Sequence, residues 1–500
     1  MTHAAEMYFS FTPLLAVLVS PAAAILILLS SQKPNLRETW TVIAAVCKFA
    51  LVSSMVAPVL AGQYPAITLF DIAPGISLAL KADPLGVSFA LSASLLWIFT
   101  SFYSIGYMRA LAEHSQTRYF ASFAICLSAT MGIALAANLL TFLIFYEILT
   151  IATYPLVIHK ETAEAISAGR KYLAFLLVAG GALLLAVAVT LMAAGTLNFA
   201  AGGYLSPAMG RGPLLGLFIL FLVGVGAKAG LMPLHSWLPS AMVAPTPVSA
   251  LLHAVAVVKA GVFGFARIVG YVFGPSLTAD IGGATLVGVL AGATIVVASL
   301  LAMAQDNLKR RLAYSTIGHL SYIILGTVLL TPVGWLGGLF HITTHAAMKI
   351  TLFFCAGAIY AKTGRENISE MDGIGKQMPL TMAAFTVGAL GLAGLPPVGG
   401  FLSKWFLAQG TLASGHPLLL AVLLLSGLLN AGYFFPIVVR AYFRPSKHFE
   451  RFDEALPSML IPLLLTAAFA VLLGIYPDGI FHFYSLSAEA ALGVVARGAP

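Results

Sequence analysis

The chain alternates long apolar runs with short polar turns from end to end. Most runs reach about 18 residues, enough for a helix to cross ~30 Å of hydrocarbon. Their approximate centres fall at Leu26, Val52, Leu95, Met131, Ile148, Leu184, Leu222, Val258, Val289, Ile323, Phe353, Leu392, Leu424 and Leu465. The pattern predicts an all-α polytopic membrane protein with about fourteen transmembrane helices. Eight-residue strands of alternating polarity, the mark of a membrane barrel, are missing from it. The longest polar loops run to about twenty residues, too few for a soluble domain. The leader MTHAAEMYFSF holds Glu6 and no lysine or arginine, and the first run continues past Pro21–Ala24 to Leu29. A retained first helix is expected there rather than a cleaved signal.

Composition agrees. Hydrophobic residues make up 60% of the chain and charged residues 9%, against about a quarter charged in soluble domains. Cys47, Cys126 and Cys355 lie far apart inside apolar runs, so neither a disulfide framework nor a zinc site is expected.

The net charge of +8 is a matter of topology. Seventeen of the 26 lysines and arginines sit in alternate loops: Lys33, Arg37, Arg109, Arg118, Lys160, Arg170, Lys171, Lys309, Arg310, Arg311, Lys362, Arg365, Lys376, Arg440, Arg444, Lys447 and Arg451. The other loops hold Lys81, Arg211, Arg267 and Arg497. This positive-inside pattern predicts an even number of crossings of the cell membrane, with both termini on the outer face. No nucleic-acid partner is expected.

Five lysines remain inside apolar runs: Lys48, Lys228, Lys259, Lys349 and Lys404. A lysine at the bilayer centre costs roughly 2.5–3.5 kcal/mol, so these must face protein, water or one another. Lys48, near the end of its run, is expected to snorkel to the surface. Glu147, in FLIFYEILTIATYP, is the one acid near the middle of a run, and pairing with Lys228 is the cheapest way to bury both. Such a pair is either static or titrating, and moving one partner would move the proton.

His253 precedes Lys259 by more than a turn, so those two are not expected to touch. In HITTHAAMK, by contrast, His341, His345 and Lys349 stack down one helical face. Two histidines at this spacing can also ligate a metal. With no HExxH, no nearby carboxylate and a lysine completing the row, a proton or ion path is the better reading. His319, in STIGHLSYIIL, could extend it.

AGLMPLHSWL at 229–238 matches AGLPPVGGFL at 393–402, and each copy joins a proline break to a nearby lysine, Lys228 or Lys404. Broken helices in corresponding places of two halves point to an ion site in repeat-built transporters. Four segments are expected: an N-terminal three-helix part at 1–110, one five-helix repeat at 111–273, a second at 274–445, and a C-terminal helix and tail at 446–500. An odd helix number makes the second repeat inverted. Phosphate-binding loops and iron–sulfur cysteine sets are lacking, and Ser236 beside His235 has no third catalytic partner. No cofactor, metal or catalytic chemistry of the chain's own is expected.

KAGLMPLHSWLPSAMVAPTPVSALLHAVAVVKAGVF (Lys228–Phe263), QDNLKRRLAYSTIGHLSYI, HITTHAAMKITLFF and GLPPVGGFLSKW occur in this order. Together they resemble the proton-conducting antiporter-like subunits of Mrp-type cation/proton antiporters, complex I and membrane-bound hydrogenases, over roughly Asp83 to Arg440. The resemblance implies an ion pair of Glu147 with Lys228 and a central relay at Lys259. It further implies a hydrated axis through His253, His341, His345 and Lys349, and a terminal lysine at Lys404. The M-type subunit of complex I has glutamate at that last place, so lysine here favours the D-, L- or N-like types. The L-type's long lateral helix is missing after the fourteenth run, which favours the D-type subunit of an Mrp-type Na⁺/H⁺ antiporter. The alternative is a proton-pumping subunit of an NADH:quinone oxidoreductase of the complex I type, or of an energy-converting hydrogenase or formate hydrogenlyase. Implied partners are other membrane subunits, H⁺, Na⁺ and the lipid bilayer. A stand-alone solute transporter and a quinone- or haem-binding redox subunit are rival readings.

Overall fold

The computed structural model describes residues 6–73, 75–445, 448–479 and 481–497. Its main helices are α1 (Thr12–Leu29), α2 (Pro34–Ser53), α3 (Pro84–Ala110), α4 (Gln116–Ala134), α5 (Leu139–Val157), α6 (Ala163–Ala194), α7 (Arg211–Lys228) and α8 (Thr246–Phe273). They continue as α9 (Gly283–Met303), α10 (Leu308–Val328), α11 (Pro332–Thr363), α12 (Pro379–Ala393), α13 (Gly399–Ala413), α14 (Pro417–Phe443), α15 (Pro457–Ile475) and α16 (Phe483–Arg497). Each of the fourteen predicted centres lies in one of these helices. Among the described residues, eleven helices are long and apolar enough to cross a membrane, and α12 and α16 are shorter apolar ones.

Local chemistry sets the helix starts. Pro34, Pro84, Pro332, Pro379, Pro417 and Pro457 occupy first-turn positions, where a missing N–H does no harm. Asn138 and Asn307 cap α5 and α10, while Thr162 and Thr331 cap α6 and α11. Both α6 and α11 are 32 residues long and end on a left-handed glycine, Gly195 or Gly364. Asn138 bridges to Asn198, and Asn307 bridges to Asn367. These matched features keep one constant spacing along the chain.

Two elements were not in the apolar pattern. One is a sheet in the order β1 (Glu6–Phe9), β2 (Gln63–Ala73), β3 (Ile76–Lys81), with β1–β2 parallel and β2–β3 antiparallel. Its edge continues through the Leu80–Ala136 and Asn138–Asn198 bridges, and Ala200 N–H donates to Tyr271 O at 3.2 Å. The other is α16, which packs on α11 and α3.

The base-rich loops meet on one face. Arg37 reaches Gln116 at 2.7 Å, Arg118 reaches Glu161 at 2.6 Å, and Arg310 lies 3.9 Å from Glu164. Ser369 donates to Asp306 at 2.6 Å, and Arg440 to Asp372 at 3.0 Å. The hydrogen bond and charge of Arg118 hold the Glu161 carboxyl below the usual range. Lys447 lies outside the described residues. The sheet sits at the other end of the helices, because α1 and α2 hang between the two levels.

Arg267, expected in a loop, is instead buried on α8, where its guanidinium grips the Asp83 carboxylate with two bonds, one of 2.7 Å. Asp83 also caps α3 by accepting from Gly86 N–H at 2.8 Å. The rings of Phe199, Phe263 and Tyr271 flank the cation at 4.6–5.3 Å. Lys309, also counted as a loop base, turns inward to donate to Ala244 O at 2.9 Å. Lys48 does not snorkel. It is fully buried, donating to Leu127 O at 3.1 Å beside Trp97, because α2 packs that face against α3 and α4.

Breaking one partner of a buried ion pair strands the other charge. Asp83→Ala is therefore expected to lower stability by about 3–5 kcal/mol. The double variant Asp83→Leu/Arg267→Met should recover most of it. Unfolding midpoints in detergent test this, and purely additive losses would refute the pairing.

Candidate functional site

The interior helix α8 is buried along its whole length and α11 from Gly334 to Ile359, and they carry most of the polar side chains in question. Around them stand the two broken helices. α7 ends at Lys228, and residues 229–236 run irregularly, with Gly230 at φ +67°, before the one-turn helix Trp237–Ser240. The freed backbone finds partners. Trp237 Nε1 donates to Ala227 O at 2.8 Å, and Met232 N–H to Thr294 Oγ1 at 3.2 Å. α12 ends at Ala393, and Gly394 at φ +93° leads across to α13.

Lys228 does not meet Glu147. Its ammonium donates to the backbone carbonyl of Tyr146 on α5 and rests 3.3 Å from the centroid of the Tyr146 ring. The Glu147 carboxylate lies along Gly180 of α6, where a methyl group would overlap it, and its Oε1 has no hydrogen-bond partner. Among the described residues no ion pair joins the two. The expected pair is open because Lys228 reaches α5 one residue short of the acid.

Lys259, on α8, lies 2.8 Å from His345 Nδ1, so the relay lysine joins the α11 row directly. His253 does not join it. A π turn at Leu251–Val255 places its ring against Phe353 at 4.9 Å, and neither nitrogen has a hydrogen-bond partner.

His345 Nε2 has no hydrogen-bond partner, and a second, continuous row of hydrogen bonds starts at Lys349. Lys349 Nζ donates to Ser315 Oγ at 2.7 Å, and Ser315 lies 2.8 Å from the Tyr433 hydroxyl. That hydroxyl is 2.7 Å from Asn430 Oδ1. Asn430 Nδ2 contacts His319 Nε2 at 3.3 Å, His319 Nδ1 contacts His341 Nε2 at 3.1 Å, and His341 Nδ1 contacts Ser403 Oγ at 2.8 Å. Lys404 Nζ donates to Leu392 O at 2.6 Å, capping the broken end of α12, and Asn430 Nδ2 donates to the same carbonyl at 3.0 Å.

Proton positions follow from the carbonyl of Leu392, which can only accept. The Asn430 amide nitrogen must face it and also His319 Nε2. His319 then donates from Nδ1 to His341, and His341 donates from Nδ1 to Ser403. Asn430 Oδ1 takes the single Tyr433 hydrogen, leaving Ser315 to donate to Tyr433 and accept from Lys349. The row thus holds one hydroxyl wire, Ser315 and Tyr433, and one imidazole wire, His319 and His341, that meet at one carboxamide.

Sequence reading brought His319, His341, His345, Lys259, Lys349 and Lys404 to this axis. It missed Ser315, Ser403, Asn430, Tyr433 and Tyr146. Their one advance signal is polarity inside apolar runs, which Ser and Tyr share with many packing positions.

Residues 136–430 match the family model described as NADH:quinone oxidoreductase/Mrp antiporter, TM. The chain belongs to this family. NADH-quinone oxidoreductase subunit N of Desulforudis audaxviator (strain MP104C) is 34% identical over 426 residues, covering 81% of this chain and 84% of the relative. The D-type subunit of the Na⁺/H⁺ antiporter of Alkalihalophilus pseudofirmus (strain ATCC BAA-2126 / JCM 17055 / OF4) is 28% identical over 413 residues, covering 81% and 82%. A chain in the structure of the membrane-bound sulfane sulfur reductase, an archaeal respiratory membrane complex, superposes with a TM-score of 0.87 at 27% identity, over 98% of this chain and 100% of that one. This member of the antiporter family is thus a multi-pass helical membrane protein.

Tyr433→Phe removes the hydroxyl joining Ser315 to Asn430 and leaves Asn430 Oδ1 short of a donor. A loss of about 1–3 kcal/mol in stability is expected, with the fold kept. Thermal melting against Tyr442→Phe, a change on a partly exposed ring near the base-rich face, checks it. Equal melting of the two would contradict the network.

Proposed function

We propose that the chain is a proton-translocating subunit of a multi-subunit membrane complex. The observation that carries this reading is the hydrogen-bonded polar row from Lys349 to Ser403, with Lys404 sharing the Leu392 carbonyl with Asn430 and Lys259 bonded to His345, whose ring lies 5.4 Å from that of His319. Imidazoles and hydroxyls accept and release a proton in turn, and lysines at a low-dielectric site change charge readily. Protons would enter beside Glu147 and Lys228, cross by Lys259 and the histidines, and leave near Lys404. Lys228 is the gate. Drawing Glu147 off Gly180 to meet it would favour the charged lysine, and letting go would release the proton.

The matched caps of α5 with α10 and of α6 with α11 support two repeats, at 111–273 and 274–445. Asn138 lies at the sheet end and Asn307 at the base-rich end, which supports their inversion. With the base-rich face in the cytoplasm, both termini lie outside. Within the family we favour the D-type subunit of an Mrp-type Na⁺/H⁺ antiporter, Na⁺ moving against H⁺. The similarity to an NADH-quinone oxidoreductase subunit N favours a second reading, a proton-pumping subunit in a respiratory complex. Other membrane subunits are the partners in either case, and affinity purification of the tagged chain would separate the two by the subunits retained.

Glu147→Ala and Lys228→Ala should each abolish cation- or redox-driven proton flux in membrane vesicles, read by a pH-sensitive dye, with the protein still inserted. Full flux in both variants would overturn the pathway.

A further inference from the structure

Away from the polar row, Glu113 and His114 in the α3–α4 loop meet His159 in the turn after α5. One donor atom from each lies within 4.8 Å of the other two. His159 is fully buried, yet neither of its ring nitrogens makes a hydrogen bond. Its Nε2 points at Glu113 Oε2 from 3.8 Å, too far for a hydrogen bond, and its ring lies 4.9 Å from that of His114. A buried imidazole without a partner is costly unless something fills its place.

We propose that Glu113, His114 and His159 form a binding site for a divalent transition-metal cation of the zinc type. Two imidazoles and one carboxylate make a familiar three-ligand set for such an ion, which takes nitrogen and oxygen donors at about 2.0–2.2 Å. The donors here need only draw together by small side-chain rotations. The exposed His114 gives an entry path, and the buried His159 gives the fixed anchor. Glu161 stands 3.9 Å from His114 Nε2 but is occupied by Arg118, so the fourth position is left for water. Ala112, Ser115 and Glu161 flank the trio with φ of +48°, +48° and +56°, conformations uncommon for non-glycine residues. Calcium and magnesium, which prefer all-oxygen shells, are disfavoured.

The test uses the full chain in detergent, with Co²⁺ and Zn²⁺ as probes. One Zn²⁺ per chain is expected by equilibrium dialysis, displacing Co²⁺ whose visible absorption bands report nitrogen and oxygen ligation. His159→Ala and His114→Ala should each weaken Zn²⁺ binding at least tenfold and erase the Co²⁺ bands, while Mg²⁺ fails to compete. His114 is exposed, so its variant keeps the result readable if His159→Ala folds poorly. Unchanged Zn²⁺ affinity in His114→Ala, or no stoichiometric binding by the wild type, overturns the site.

Discussion

An ammonium buried in an apolar bundle must find an acceptor, and in this protein all five intramembrane lysines find neutral ones. Lys48, Lys228 and Lys404 end on backbone carbonyls, Lys349 on a serine and Lys259 on an imidazole. A carboxylate would fix each lysine in its charged form, whereas a neutral acceptor leaves the charge conditional on what lies nearby. Much of the architecture follows from supplying those acceptors. α12 is cut short at a point that exposes the Leu392 carbonyl, and α10 and α14 bring hydroxyls and an amide to α11.

The contrast with Asp83 and Arg267 makes the same point. That pair is closed by two hydrogen bonds, walled by aromatic rings and tied to a helix cap, and it serves as a permanent fastener between α3 and α8. There a buried charge is paired and locked; among the described residues Lys228, Lys259 and Lys349 are as deeply buried but make no ion pair with a carboxylate.

The helices were legible because the cost of exposing a polar backbone to lipid forces long apolar runs, and such runs stand out in any sequence. The α11 row was legible for a related reason, since His341, His345 and Lys349 share a spacing that only a helix brings into line. Arg267 was misplaced because a charge near the end of an apolar run looks the same whether it faces water or a buried aspartate. The opening between Glu147 and Lys228 depends on which residue of α5 the lysine meets, a difference of one position that composition and periodicity do not encode. Sheet β1–β3 escaped because QYPAITLFDIA is short and lies between apolar runs of similar hydropathy.

Asn430 gives the axis a joint. An imidazole or hydroxyl can take a proton on one side and shed another on the opposite side, but a carboxamide held by Leu392 O has no such exchange to offer. With the amide fixed in this way, the hydroxyl wire of Lys349, Ser315 and Tyr433 and the imidazole wire of His319 and His341 donate in the same direction, from Lys349 toward Ser403. A proton travelling this axis would have to wait for that one side chain to turn, or go round it, so the order of the whole row hangs on the carbonyl that holds Asn430.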